Sequence, residues 1–155
     1  MSADIQVSAA VAIAGLEATS AEEVLTALAE RAIAAGWAKE SFTEAVLKRE
    51  AEYPTGLPTE IPVALPHTDP EHVLQAGLGI AVLKNPVDFG EMGGESGTTV
   101  AAQAVLLILV EKPENQVTVL GQLVNLIQRP GWFDALAEAS TDEEVAEEFR
   151  RLLAQ

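Results

Sequence analysis

The sequence predicts an α/β fold: a single mixed β-sheet flanked by helices, forming one domain over residues 1–155. Three observations predict it. Two helix-start signals, Ser20-Ala-Glu-Glu23 and Ser41-Phe-Thr-Glu44, each precede a run of apolar residues at helical spacing. The middle of the chain, from Ile61 to Val110, breaks instead into apolar runs bounded by Pro and Gly, as strands do. From about Asn115 the helical spacing returns, and helices on either side of a block of strands give a sheet with helices packed on it. No internal repeat and no linker divides the chain.

In order, Asp4 to Glu17 is small and apolar, with Val7, Val11, Ile13 and Leu16, and is expected to hold one short strand. Ser20 offers a hydroxyl to the first free amides, and Val24, Leu25, Leu28, Ala32 and Ile33 then recur at helical spacing up to a stop at Gly36. Ser41 opens a second helix through Ala45, Val46 and Leu47 to about Glu52. Pro54-Thr-Gly-Leu-Pro58 breaks it with a turn-rich loop. Ile61 to Leu65 reads as a strand ending at a Pro66-His67 corner, Ala76 to Leu83 as a second strand and Pro86 to Phe89 as a short third. Gly90 to Thr99 reads as a mobile surface loop. From about Ala104 to Val110 a central strand, buried on both faces, is expected, although periodicity alone leaves a helix open. A helix follows from roughly Asn115 to Gln128, with Val119, Leu120, Leu123, Val124 and Ile127 as its buried stripe, and Pro130-Gly131 ends it. Trp132 to Glu138 is a short helix, and Thr141-Asp-Glu-Glu144 caps a last one running to about Leu153. Trp37 and Trp132 read as core or interface aromatics.

Composition narrows the function. A chain of 155 residues with 48% hydrophobic and 5% aromatic residues is large enough to bury a sizeable core. No apolar run approaches the roughly 18 residues of a membrane-spanning helix. The start, Met-Ser-Ala-Asp-Ile, lacks a secretory pattern, so a cytoplasmic location and no membrane insertion are expected. The absence of cysteine excludes disulfides, thiolate zinc sites and cysteine nucleophiles. Nine basic against twenty-four acidic residues give a net charge of −15, which repels nucleic acid and anionic lipid and favours a partner with a basic patch. The same charge also serves solubility.

The chain has two histidines, His67 and His72, so most imidazole chemistry passes through Ile61–His72. His67 stands after a strand, at a corner stiffened by Pro66, where α/β sheets often carry functional groups. Neutral imidazole is a nucleophile able to form a covalent intermediate, although the local pattern alone favours a structural or incidental histidine. A metal site from His67 and His72 with Asp69 and Glu71 is opposed by Pro70, which prevents regular helical ligand spacing. A serine hydrolase is opposed by the lack of G-x-S-x-G around Ser96, and neither a Walker loop nor GxGxxG occurs.

Two stretches change the balance. Lys48-Arg-Glu-Ala-Glu-Tyr-Pro-Thr-Gly56, followed by Val63-Ala-Leu-Pro-His67, resembles the signature of the fructose/mannitol-type enzyme IIA family of the bacterial sugar phosphotransferase system (PTS). The Val73–Gly90 run, the apolar strand to Val110 and the helix around Leu120–Leu126 fit the same pattern. Arg49-Glu-Ala-Glu-Tyr-Pro-Thr-Gly56 together with His72 is most similar to the galactitol-type subgroup. There are departures: Thr68 replaces a small residue, Pro62 interrupts the strand approach, and Gln116 aligns with a second histidine of some mannitol-type members.

The resemblance implies that His67 is the phosphorylated nucleophile. It would take a phosphoryl group from the phosphocarrier protein HPr and pass it to a thiolate of enzyme IIB for galactitol-like sugar or alditol uptake, with no metal or cofactor. Arg49, Thr55, His72 and Gln116 are the implied supporting residues around the phosphoryl site, Arg49 as the nearest cation and Gln116 as a donor without charge. A regulatory relative that signals through the same phosphohistidine, and a binding domain with an inert His67, are the alternatives. The transported sugar and the oligomeric state are not legible.

Overall fold

The computed structural model describes residues 5–95 and 97–155; residues 1–4 and Ser96, weighed above as a hydrolase serine, lie outside them. Five strands, β1 (Val7–Leu16), β2 (Gly56–Leu57), β3 (Val63–Ala64), β4 (Gly77–Gly90) and β5 (Thr99–Leu109), form one mixed sheet in the order β1-β4-β5-β3-β2. β4 and β5 pair antiparallel, β1 runs parallel to β4, and β3 runs parallel to β5. β2 and β3 pair antiparallel at the edge. The expected mixed sheet with helices is therefore the fold.

Alternation along β5 explains why the sheet is covered on both sides. Val105, Leu107 and Leu109 join one apolar cluster while Ala104, Leu106 and Ile108 join the other. Helices α1 (Ala21–Ala34) and α2 (Phe42–Glu52) cover the first face through Val24, Leu25, Leu28, Phe42 and Val46. Helices α3 (Pro113–Ile127), α4 (Asp134–Glu138) and α5 (Asp142–Ala154) cover the second through Leu123, Leu126, Leu136, Val145 and Phe149. Both terminal caps form as the sequence predicts: Ser20 Oγ accepts from Glu23 N and Thr141 Oγ1 from Glu144 N.

Several boundaries differ from expectation, each for a physical reason. β1 is ten residues long rather than short, because pairing with β4 extends it past what its composition signals. Ala76–Leu83 and Pro86–Phe89 are one strand, not two. The ladder to β5 slips between Val82 and Val87, and Pro86, which has no N–H to give, sits in that irregularity. β5 starts at Thr99, so the connecting loop is shorter than Gly90–Thr99. The strand expected over Ile61–Leu65 is reduced to Val63–Ala64: Pro62 offers only its carbonyl, which accepts from Gln103 N. α3 begins at Pro113, a favoured first helical position, instead of Asn115. The second capping box does not form, since Ser41 is helical in backbone and makes no side-chain cap bond. Among the described residues no helix is long and apolar enough to cross a membrane.

Candidate functional site

His67 sits where the chain leaves β3 and runs beside the end of β5. Leu65 N donates to Thr55 O (3.3 Å) on one side and Ile108 N donates to Pro66 O (2.9 Å) on the other, so the corner is held from both flanks. The imidazole is largely buried and its Nδ1 lies 3.0 Å from Leu65 O. A carbonyl only accepts, so Nδ1 carries the proton and donates it. Nε2 is then the ring's lone-pair nitrogen, and it makes no hydrogen bond among the described residues. Burial lowers the His67 pKa below its ordinary value; the Leu65 bond opposes this, the Arg49 charge adds to it and Asp69 opposes it again. The group is a neutral imidazole with its nucleophilic nitrogen set near neutral pH.

Arg49, in the last turn of α2, carries a positive charge that the ring feels. Its guanidinium lies over the Tyr53 ring, 4.8 Å from the centroid, and its Nη1 is 3.6 Å from Asp69 Oδ1. That ion pair is partly exposed and long, hence weak. Nε of Arg49 is buried and, among the described residues, has no hydrogen-bond partner.

The other expected residues lie at different distances from the chemistry. Thr55 does not place its hydroxyl on the imidazole. Both its donors go to Glu50, with Oγ1 2.8 Å from Oε1 and N 2.8 Å from Oε2, and only its carbonyl works towards the site, through Leu65. His72, in a 3-10 turn over Pro70–His72, places Nδ1 2.8 Å from Ser41 Oγ and its carbonyl accepts from Lys39 N. It ties that turn to the start of α2 and makes no hydrogen bond to His67. Gln116 lies half-buried in the first turn of α3 and, among the described residues, makes no hydrogen bond to the imidazole. No group of three or more His, Asp or Glu able to hold a metal occurs among the described residues.

Sequence reasoning missed Glu50. It is a buried carboxyl whose pKa is pushed up to about 7 by burial, against the pull of the two Thr55 bonds. A signal was present: Phe42, Val46 and Glu50 fall at successive four-residue steps, the buried face of α2. Asp69 was weighed only as a metal ligand, yet it faces Arg49. Gly56 is required by packing, since a Cβ there would lie 2.6 Å from Gly90 O and from Val100 Cγ2.

Residues 7–151 match the model of the family described as phosphoenolpyruvate-dependent sugar phosphotransferase system, EIIA 2. The galactitol-specific EIIA component of the PTS in Escherichia coli strain K12 is 28% identical over 123 residues, 79% of this chain and 81% of that protein. Among solved structures, IIA mannitol from Escherichia coli superposes with a TM-score of 0.76 at 26% identity, covering 96% of this chain and 99% of that one. Enzyme IIA of the mannitol system in complex with phosphorylated enzyme IIB, also from Escherichia coli, gives 0.77 at 25% identity, covering 97% and 99%. The nitrogen regulatory protein IIA-Ntr of Neisseria meningitidis shares the fold, with a TM-score of 0.67 at 21% identity over 94% of each chain.

Proposed function

We propose, from the premise that this chain belongs to the EIIA type 2 family of the phosphoenolpyruvate-dependent sugar phosphotransferase system, that His67 is its phosphoryl carrier, with phospho-HPr as donor and an enzyme IIB as acceptor. Components of this family are phosphotransferases, and the galactitol-specific relatives make a galactitol-like sugar or alditol the proposed cargo class. A cytoplasmic location goes with that role.

The observation that carries the reading is the Nδ1–Leu65 bond, because it leaves one nitrogen, Nε2, to react. The Nε2 lone pair attacks the phosphorus of the donor's phosphohistidine. A P–N bond forms at Nε2 as the bond to the donor imidazole breaks, and its electron pair returns to the donor nitrogen. The His67 ring becomes positive as it bonds to phosphorus, and Leu65 O stabilises that charge through the Nδ1 proton. Arg49 supplies positive charge to the phosphoryl oxygens. In the second step the IIB thiolate attacks phosphorus in line, and the electron pair returns to Nε2. Little else is required of the protein than positioning.

Partner docking is supported by an exposed apolar side chain next to the Arg49 guanidinium, Tyr53. The net charge of −15 complements a basic rim on the donor. The test is incubation with phosphoenolpyruvate and the general PTS proteins. Acid-labile, base-stable label is expected in wild type and in His72→Ala and absent in His67→Ala; an unlabelled wild type overturns the reading. Onward transfer to a IIB separates a transport component from a regulatory one.

A further inference from the structure

Four hydrogen-bonded links join the buried carboxyl of Glu50 to the reactive ring. Glu50 Oε1 and Oε2 accept from Thr55 Oγ1 and N at 2.8 Å each. Thr55 O accepts from Leu65 N at 3.3 Å, one step beyond the β2–β3 ladder. Leu65 O in turn takes the Nδ1 proton of His67 at 3.0 Å. The carbonyl that fixes the tautomer therefore belongs to a residue whose own amide is held by Thr55, and Thr55 is held by Glu50.

A carboxyl is an odd choice for this place on packing grounds. Phe42 and Val46 show that this face of α2 wants apolar groups, and a buried carboxyl is costly unless its oxygens are satisfied. What it offers, and an apolar residue does not, is two acceptors set side by side for two donors of one residue. Thr55 precedes Gly56, whose backbone is pressed against Gly90 O, so the segment fed by this clamp is closely confined on its far side too. Nothing in the transfer step itself uses Glu50.

We propose that Glu50 is a positioning residue for phosphoryl transfer: it clamps Thr55, and through the Thr55–Leu65 link it holds the Leu65 carbonyl where it keeps His67 protonated on Nδ1. The assignment rests on the reading of His67 as phosphoryl carrier, and its action is indirect.

Two readouts test it in wild type, E50Q, T55V and T55S: nitrogen-15 NMR of the His67 ring, and transfer rate against phospho-HPr concentration. In E50Q one Thr55 donor loses its acceptor, and in T55V the hydroxyl link is gone while the main-chain one remains. Both are expected to shift part of the ring population away from the Nδ1–H tautomer and to lower kcat about tenfold with KM unchanged, as a small misplacement of a reacting group does. T55S, which keeps both donors, is expected to restore both readouts. An unchanged tautomer signal and unchanged kcat in folded E50Q overturn the proposal. Should E50Q not fold, the same result in T55V overturns it. A wild type that takes no phosphoryl group sinks the carrier reading, while the ring signal still reports whether Glu50 positions His67.

Discussion

His67 and His72 share one short segment, and each has a ring nitrogen about 3 Å from an oxygen, yet they are set up for different work. The oxygen facing His67 is a main-chain carbonyl, which only accepts, so one tautomer is selected and Nε2 is left free. The oxygen facing His72 is the Ser41 hydroxyl, which donates or accepts and selects neither tautomer. His72 Nε2 also has a carboxylate near it, Glu71 Oε1 at 3.7 Å. The partner of the ring, more than the histidine itself, decides whether one nitrogen is left free or the ring ties a turn to the start of α2.

The contrast breaks most severely if the cation beside His67 is removed. Arg49→Ala is expected to lower the rate of phosphoryl transfer to His67 by about a hundredfold or more, the order seen when one charge-stabilising donor is lost, without unfolding the protein. Arg49→Lys keeps a charge but loses the planar fork and the Nε donor, so it should recover only part of that loss. Single-turnover transfer from phospho-HPr measures both, and an Arg49→Ala rate within a factor of two of wild type would remove Arg49 from the site.

A second expectation concerns pH and sharpens the difference between neutral and charged groups around the site. Glu50 has its folded pKa raised from 4.5 to about 7, so its contribution to stability is full below about pH 4.5 and is lost as pH rises through about 7. That loss amounts to roughly 3 kcal/mol. Urea unfolding of wild type and E50Q at pH 5.5 and pH 8 should therefore show wild type losing ground to E50Q at the higher pH; parallel behaviour contradicts it. His67 has the opposite linkage. Its pKa is lowered, so its contribution to stability is full above the ordinary value near 6.5 and is lost as pH falls from there through the lower folded value.

The smallest effect is expected at His72. Ser41→Ala removes the hydrogen bond to His72 at an exposed site and should cost at most about 1 kcal/mol in urea unfolding while leaving transfer to His67 unchanged. A large loss of transfer in this variant would mean that His72 belongs to the reacting group after all.

How much of this was legible in the sequence follows from how local each signal is. The two caps that formed, at Ser20 and Thr141, depend on residues within one turn, and they read correctly. The box at Ser41 has the same Ser-x-x-Glu spacing and failed, because Ser41 is itself helical in backbone and its hydroxyl lies against His72. Pro86 looked like a strand boundary, but a proline in a slipped part of the ladder costs no hydrogen bond. At the candidate site, the resemblance pointed to His67 and Arg49. The partner of the Thr55 hydroxyl, Glu50, was not legible, since that carboxyl is buried only once α2 has packed.

The carbonyl of Leu65 has one further consequence. A ring whose Nδ1 is occupied by the main chain offers its partners a single nitrogen and a single line of approach, and this does not change when the phosphoryl group is on board. In the proposed relay, donor and acceptor need the same face of the protein, so each must leave before the other arrives. The phosphoryl group then travels on a carrier that is never held by both neighbours at once, which gives the relay a direction set by supply and demand and not by a three-body assembly.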